Sequence, residues 1–207
     1  DSNLEVQAEN LPLTAAANLL ESPIKVTGLA NLSANLTGPY TNPQLVGQFA
    51  VDEASLNRQP LEEISSTFQY EAAIFSLEGR VVGANPEPLT FSGTVPYALP
   101  FMTVQPASNA IALQASLKDD ALALVDILTP LISWGGGEAN IDLRIGGTLQ
   151  RPLVSGVAAF SGATFNSSFL DVSLDDLTGA VQFRGTHIQV PSLTGSLFDG
   201  SFDLTGS

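Results

Sequence analysis

The sequence predicts an all-β protein with one or two short helices. Three observations predict this fold class. Apolar residues alternate with polar ones along short runs, Gly, Pro, Asn and Asp separate those runs, and only two stretches have helical character. Residues 140–146 are a clear example, because aliphatic residues at the odd positions alternate with Asn140, Asp142 and Arg144. Such alternation is typical of strands that bury one face.

The chain contains two similar stretches. Residues 28–57 and 137–166 match without a gap at an offset of 109, and nine of the 30 aligned positions are identical. Ordinary composition gives about two identities by chance. The shared positions include Gly28/Gly137, Ala30/Ala139, Gly38/Gly147, Pro43/Pro152, Gly47/Gly156 and Ala54/Ala163. Residues 68–93 and 181–206 match in apolar pattern at an offset of 113. We therefore predict two β-repeat copies, residues 1–93 and 94–207, in one continuous structural unit.

Each copy has one short stretch with helical character. In copy two, Asp119 and Asp120 precede Ala121–Leu128, and Asp is a favoured helix N-cap. In copy one, Thr14–Leu20 is rich in Ala and lies between two prolines. Glycine and proline recur at equivalent points in both copies. Gly38 and Gly147 are expected where a strand ends, and Gly47 and Gly156 inside the next strand, where a bulge or a close backbone approach is expected.

Composition excludes several classes of function. The net charge is −14, from 21 acidic and 7 basic residues, and the bases are scattered along the sequence. A polyanion such as nucleic acid would be repelled, so we expect no nucleic-acid partner. There is no cysteine, which excludes disulfides and thiolate metal sites. No segment approaches the ~20 apolar residues that a membrane-spanning helix requires.

No catalytic constellation is recognisable. The sole histidine, His187, is expected on the solvent face of a strand. Asp119–Asp120 is interpreted as a helix cap and Asp175–Asp176 as a charged turn. Adjacent residues of a strand point to opposite faces, so neither pair is expected to form an acid/base dyad. The triplet at 135–137 lacks the Lys-Ser/Thr of a phosphate loop and is interpreted as a flexible joint, with Trp134 beside it a packing residue. We therefore expect no enzyme activity, no cofactor and no metal.

The repeat resembles a known family. The run GEANIDLRIGGTLQRPLVSG at 137–156, after a helix, is similar to the repeat of the TamB family. So are LTGAVQF at 177–183 and LTGSLFDGSFDLTG at 193–206. The family includes AsmA-like proteins of Gram-negative envelopes and chloroplast envelope homologues. The match covers essentially all of copy two, whereas copy one is a more diverged version of the repeat.

This resemblance implies a fold, a location and partners. The implied fold is a β-taco, an elongated curled sheet with a hydrophobic groove. The implied function is a segment of a periplasm-spanning bridge anchored in the inner membrane, which carries phospholipid or assists outer-membrane protein assembly. Its implied partners are phospholipid or apolar client segments, and an outer-membrane barrel assembly partner bound through regions absent from this chain.

The alternating pattern then predicts which side chains line such a groove. The predicted groove-lining residues are Leu32, Leu36, Phe49, Val51, Phe68, Tyr70, Leu113, Ile141, Leu143, Ile145, Val181, Phe183, Phe202 and Leu204. The strand phase between Leu153 and Phe160 stays open, because both faces there carry apolar residues. A structural stalk or adhesin-like module, whose own side chains fill its interior, is the alternative function.

Overall fold

The predicted all-β fold class is confirmed. A computed structural model describes residues 2–13, 26–39, 41–85, 87–99, 103–128, 131–168 and 171–207. These residues form a single open antiparallel sheet of 13 strands. The helix predicted at Thr14–Leu20 lies outside the described residues.

Most of the strands are long, between seven and 17 residues. Those of the first half are β1 (Ser2–Pro12), β2 (Val26–Gly38), β3 (Gln44–Leu56), β4 (Gln59–Pro60), β5 (Glu63–Glu71), β6 (Ile74–Val82) and β7 (Pro88–Pro96). Those of the second half are β8 (Ala112–Lys118), β9 (Ile132–Thr148), β10 (Arg151–Ser167), β11 (Val172–Gly185), β12 (His187–Leu197) and β13 (Gly200–Gly206).

The order of the strands in the sheet follows their order in the chain. The order is β1-β2-β3-β5-β6-β7-β8-β9-β10-β11-β12-β13, and the short β4 pairs with β3 beside this path. Short connections join most neighbours, as antiparallel pairing allows. The predicted turn positions are confirmed: β2 ends at Gly38, and β9 ends one residue after Gly147.

One helical segment lies between β8 and β9. A 3-10 turn at Asp119–Leu122 leads into the α-helix α1, Ala123–Leu128. The prediction that Asp119 and Asp120 cap this helical segment is wrong, because the segment begins with the 3-10 turn, whose N-cap position is Lys118 and has no side-chain capping bond. Asp119 Oδ1 instead accepts a hydrogen bond of 2.8 Å from the Ala139 backbone N–H of β9. The Asp120 N–H is satisfied by Glu87 Oε2 at 2.9 Å.

Two other local predictions are wrong. The glycine triplet at 135–137 lies inside β9 and is not a joint after the helix. A Cβ added to Gly137 would lie 2.6 Å from the Ala163 Cα, so close backbone packing explains the glycine there. Asp175 and Asp176 lie inside β11 and not in a turn, at an irregularity in its pairing with β12.

The chain divides into two compact units. Unit 1 contains residues 1–81, 90–113 and 146–152, and unit 2 contains residues 82–89, 114–145 and 153–207. In unit 1 the most deeply buried apolar residues include Ala54, Tyr70 and Ala73. In unit 2 they include Leu122 and Ala163. The division into two repeat copies near residue 93 stays a prediction from the sequence.

Candidate functional site

The strand register of unit 1 places many of the predicted residues on one face. Leu32 lies opposite Phe49, Leu36 opposite Leu45, and Ala30 opposite Val51. Directly opposed residues of an antiparallel pair share a face of the sheet. This apolar set therefore forms one surface, which we call the apolar face of unit 1.

The same face continues over β1 and β5. Leu4 of β1 lies opposite Leu36, and Ala8 lies opposite Leu32. On the other side of β3, Tyr70 pairs with Leu45 and Phe68 pairs with Gly47. The predicted residues Leu32, Leu36, Phe49, Val51, Phe68 and Tyr70 thus lie on the apolar face of unit 1.

Aromatic rings on this face lie against glycines of the neighbouring strand. A Cβ added to Gly47 would lie 2.6 Å from Phe68 Cζ, and one added to Gly79 would lie 2.6 Å from Phe91 Cζ. Phe68 also stacks on Phe75, with ring centroids 5.7 Å apart. The missing side chains of these glycines leave room for the rings to lie along the sheet. Leu113, half-buried on β8, contacts Gly93 in the same way, 2.8 Å from the position of an added Cβ.

Unit 2 has an apolar face of its own. Val181 lies opposite Ala158 and Phe183 opposite Gly156. Farther along, Leu193 pairs with Leu204 and Gly195 with Phe202. Gly179 of β11 pairs with Leu193 of β12, which joins these pairs into one surface. An added Cβ on Gly195 would lie 3.0 Å from Phe202 Cζ, so the aromatic-glycine contact occurs here too.

β9 contributes three aliphatic side chains to this surface. Ile141, Leu143 and Ile145 are half-buried, whereas Asn140, Asp142 and Arg144 between them are exposed. The Leu143 Cα would lie 3.0 Å from a Cβ on Gly156, which pairs with Phe183. The alternation and this contact place the three aliphatic residues beside the apolar side chains of β10 and β11.

Most of these apolar residues are only partly covered. Of the 14 predicted residues, Val51 and Tyr70 are buried, Leu204 is 50% exposed, and the other eleven have intermediate exposure. Tyr70 also donates a hydrogen bond of 2.9 Å from its hydroxyl to the Tyr97 carbonyl. Among the described residues, the only large side chain that is fully buried is Leu122. The apolar faces are therefore surfaces with room for a cover, and the binding role of their residues stays a prediction.

The structure resolves the strand phase that the sequence left open. In β10, Val154, Gly156 and Ala158 lie opposite residues of the apolar face. Ser155 and Val157 pair with Arg184 and Gln182. These residues lie on the side of the sheet opposite the apolar face, which we call the outward face of unit 2. Leu153 alternates with them and is 51% exposed. The outward face of β10 therefore carries aliphatic side chains that the apolar face does not use.

The helical segment is attached to the sheet of unit 2 mainly through carboxylates and apolar contacts. Asp126 Oδ1 accepts a hydrogen bond of 2.7 Å from the Trp134 backbone N–H. Leu124 lies against Gly83, and Trp134 packs edge-on against Phe165 with ring centroids 5.1 Å apart. The interpretation of Trp134 as a packing residue is thus confirmed. These contacts give the helix a structural role.

The polar side of unit 1 contains a groove of about 770 Å³. Its polar lining includes Glu5, Asn35, Gln48, Thr67 and Gln69. In the register these residues alternate with Ala34, Gly47 and Phe68 of the apolar face. No basic side chain lines this groove.

Titratable side chains in the described residues form no site of the kind that holds a metal. No group of three or more His, Asp or Glu residues there is arranged to bind an ion. Ser65 and Arg80 donate hydrogen bonds to Glu63 and hold the pKa of that carboxyl below its usual value. His187 is exposed at the first position of β12, as predicted. No helix in the described part of the chain has the length and hydrophobicity to cross a bilayer.

Comparisons with known proteins give two partial similarities. The chain is 30% identical over 86 residues to Protein TIC236, chloroplastic, of Arabidopsis thaliana. This match covers 42% of the chain. It is 31% identical over 83 residues to Protein SUBSTANDARD STARCH GRAIN 4, chloroplastic, of Oryza sativa subsp. japonica, covering 40% of this chain. In each case the match spans 4% of the relative's length. No family model and no solved structure matches significantly. The chain is thus partly homologous to two much longer chloroplast proteins.

Proposed function

We propose that this chain is a segment of a bridge protein of the cell envelope, and that its apolar faces carry phospholipid or apolar client segments. Such a role includes assistance to outer-membrane protein assembly. It requires no catalytic residue, cofactor or metal. The full-length protein would lie between two membranes, anchored in the inner membrane, and would act with an outer-membrane barrel partner.

The observation that carries this proposal is the partial exposure of the apolar faces. A domain that fills its own interior buries many large side chains completely, because protein interiors are close-packed. Here only Leu122 reaches that state among the described residues. An acyl chain on such a surface would gain about 0.8 kcal/mol for each methylene removed from water. One lipid tail therefore supplies ample binding energy without specific polar contacts.

Two further observations support an envelope location. The run at 137–156 resembles the TamB repeat, and the two partial relatives are both chloroplast proteins by name. A protein that moves lipid between two membranes needs many similar, shallow binding sites along its length. A sheet built from repeats of one sequence provides such sites. The sequence repeat and the apolar pairs at equivalent positions fit that requirement.

A structural stalk is the second candidate, and one observation favours it. The rings of Phe68, Phe91 and Phe202 lie against glycines and fill part of the apolar faces. If such self-contacts dominate in solution, the faces would need no ligand. The two candidates therefore differ in one measurable property, the binding of an acyl chain.

The test is titration of the chain with a fluorescent fatty-acid probe, together with analysis of lipid that co-purifies with it. The double variant Ile141→Asp/Ile145→Asp places two carboxylates on the apolar face of unit 2. We expect its affinity for the probe to fall at least tenfold, because burying a charge against an acyl chain is costly. The variant Asn140→Asp, on the other side of the same strand, is the control and should change affinity less than twofold.

Circular dichroism and thermal melting establish that each variant folds. The proposal is wrong if the wild-type chain binds no probe and carries no lipid. It is equally wrong if the folded double variant binds the probe as tightly as the control does. In both cases the stalk would be the better explanation.

A further inference from the structure

Basic residues that are distant in the sequence meet on the outward face of unit 2. Arg184 of β11 lies opposite Ser155 of β10 and opposite His187 of β12. Ser155 Oγ lies 3.4 Å from the Arg144 carbonyl oxygen, which places Arg144 beside it on β9. All four residues are exposed. Four adjacent strands thus present a row of Arg144, Ser155, Arg184 and His187.

The two guanidinium groups of this row are not neutralised by carboxylates. Neither Arg144 nor Arg184 forms an ion pair with any residue in the described ranges. Arg184 donates a hydrogen bond of 3.0 Å to Gln182 Oε1. The nearest acid along the outward side of β9 is Asp142, which accepts a hydrogen bond of 3.0 Å from Asn140. In a chain of net charge −14, a row that contains two arginines without ion-pair partners among the described residues, together with a histidine, is an unusual surface.

Exposed aliphatic side chains flank the row. Leu153 and Val157 lie two residues on either side of Ser155, on the same face, and are 51% and 41% exposed. Adjacent residues of a strand point to opposite faces. Since Val154 and Gly156 lie on the apolar face, Leu153 and Val157 lie on the outward face. We call Arg144, Leu153, Ser155, Val157, Arg184 and His187 the basic patch.

We propose that the basic patch binds the surface of an anionic phospholipid bilayer. Basic side chains contact lipid phosphates, and aliphatic side chains between them enter the headgroup region, which is the usual chemistry of peripheral membrane contact. The patch lies on β9 to β12, so at its centre every strand edge is already paired and no partner strand can be added. At physiological salt, charges beyond about 8 Å are screened, so the acids elsewhere on the chain weaken but do not cancel this local attraction.

Copy one lacks this chemistry at the aligned positions. Arg144 corresponds to Asn35, Leu153 to Gln44 and Val157 to Gln48, at the offset of 109. Arg184 corresponds to Glu71 at the offset of 113. The aligned residues of copy one are therefore substitutions that strands of this type accommodate. Membrane binding by the basic patch does not depend on lipid transport by the apolar faces, since the patch lies on the other side of the sheet.

The experiment is co-sedimentation of the 207-residue chain with vesicles of 70% phosphatidylcholine and 30% phosphatidylglycerol. The patch variant Arg144→Asn/Leu153→Gln/Val157→Gln/Arg184→Glu installs the copy-one residues and changes the net charge by −3. The control variant Arg58→Glu/Lys118→Gln changes it by the same amount at exposed positions elsewhere. We expect the patch variant to lose at least tenfold in vesicle affinity and the control less than twofold. Binding of the wild-type chain should also fall in 0.5 M salt.

Several results would overturn the proposal. One is no binding of the wild-type chain to these vesicles, and another is equal loss in the two variants, which would indicate net charge alone. Binding of labelled poly-glutamate without binding of vesicles would assign the patch to an acidic protein. The fatty-acid probe separates this proposal from the previous one: the patch variant should bind the probe normally, whereas Ile141→Asp/Ile145→Asp should not.

Discussion

The hairpins β2–β3 and β9–β10 contain the two matching stretches of the sequence, residues 28–57 and 137–166, and the two sides of these hairpins differ in how similar they are. On the buried side, Ala30 and Ala139 are 9% and 5% exposed, and Ala54 and Ala163 are 3% and 0% exposed. Leu36 aligns with Ile145, which is also aliphatic. The buried side thus keeps small and aliphatic residues at matched positions.

The outward side of the same hairpins keeps Asn31/Asn140 and Ala50/Ala159 but differs toward the turn. Asn35 and Gln48 of copy one become Arg144 and Val157 in copy two, and Val46 becomes Ser155. The repeat therefore specifies an apolar surface and a backbone path, while each copy is free to use its outward side differently.

The largest effect is expected at the paired glycines inside the second strand of each hairpin. Gly156 has a φ of 149°, and an added Cβ would overlap the Asp142 carbonyl oxygen. The φ of Gly47 is not in the left-handed range. A Cβ added to Gly47 would lie 2.6 Å from both the Ser33 carbonyl oxygen and Phe68 Cζ. We expect Gly156→Ala to destabilise the fold by about 3 kcal/mol and Gly47→Ala by about 2 kcal/mol. Urea unfolding measures both, and the reverse ranking would contradict the backbone explanation.

An intermediate effect is expected at the turns of these hairpins. In copy two, β9 and β10 are joined by two residues, and the Arg151 N–H donates to Thr148 Oγ1 at 3.2 Å. In copy one, Pro39 takes the place of Thr148, and pairing stops earlier, with a hydrogen bond of 2.9 Å from the Asn42 N–H to the Pro39 carbonyl.

Thr148→Pro should therefore shorten the second hairpin and cost about 1 kcal/mol, since proline cannot donate to the ladder. Amide hydrogen exchange at residues 146–153 measures the loss of pairing. Pro39→Thr is the matched control, for which we expect no loss. Unchanged exchange in Thr148→Pro would show that the proline does not set the length of the hairpin.

The smallest effect is expected for an ion pair present only in copy one. Arg80 donates to both oxygens of Glu63, at 3.0 and 2.7 Å, whereas the copy-two residue that aligns with Arg80 is Leu193, which cannot form an ion pair. The pKa of Glu63 is lowered in the folded chain, so its contribution to stability exists above the ordinary carboxyl pKa and disappears as the pH falls through the lowered value.

Glu63→Gln should shift the thermal midpoint by less than about 2 °C at pH 7, because the pair is exposed. The difference from the wild-type chain should be smaller at pH 3 than at pH 7, because the stabilisation is lost as the pH falls through the lowered pKa. Thermal melts at the two pH values measure this, and a larger difference at pH 3 than at pH 7 would contradict a lowered pKa of Glu63 in the folded chain.

Local pattern was sufficient to predict the fold class and many details of the apolar faces. Period-two alternation at Ile141, Leu143 and Ile145 predicts a half-buried strand, because one periodicity dominates there. The repeated Gly and Pro positions likewise predict where β2 and β9 end. These features depend on residues that are close in the sequence.

The failures come from contacts between distant residues. Asp119 bonds to Ala139 and not to its own helix, and no local rule indicates a partner 20 residues away. The phase at Leu153–Phe160 could not be chosen, because the apolar residues on both sides of β10 have different roles. The bases looked scattered in the sequence, yet strand register brings Arg144 and Arg184 into one row. Register is decided by the whole sheet, which short sequence patterns do not encode.

The agreement between strand order in the sheet and strand order in the chain has a consequence for folding. Nearly every strand pairs with its immediate neighbours in sequence, so most pairings close a short loop. Folding can then begin at any hairpin and extend in both directions, as in other repeat proteins. A further pair of strands could be inserted or deleted without changing the partners of distant strands. Length is therefore a property that this architecture can vary while its other pairings stay as they are.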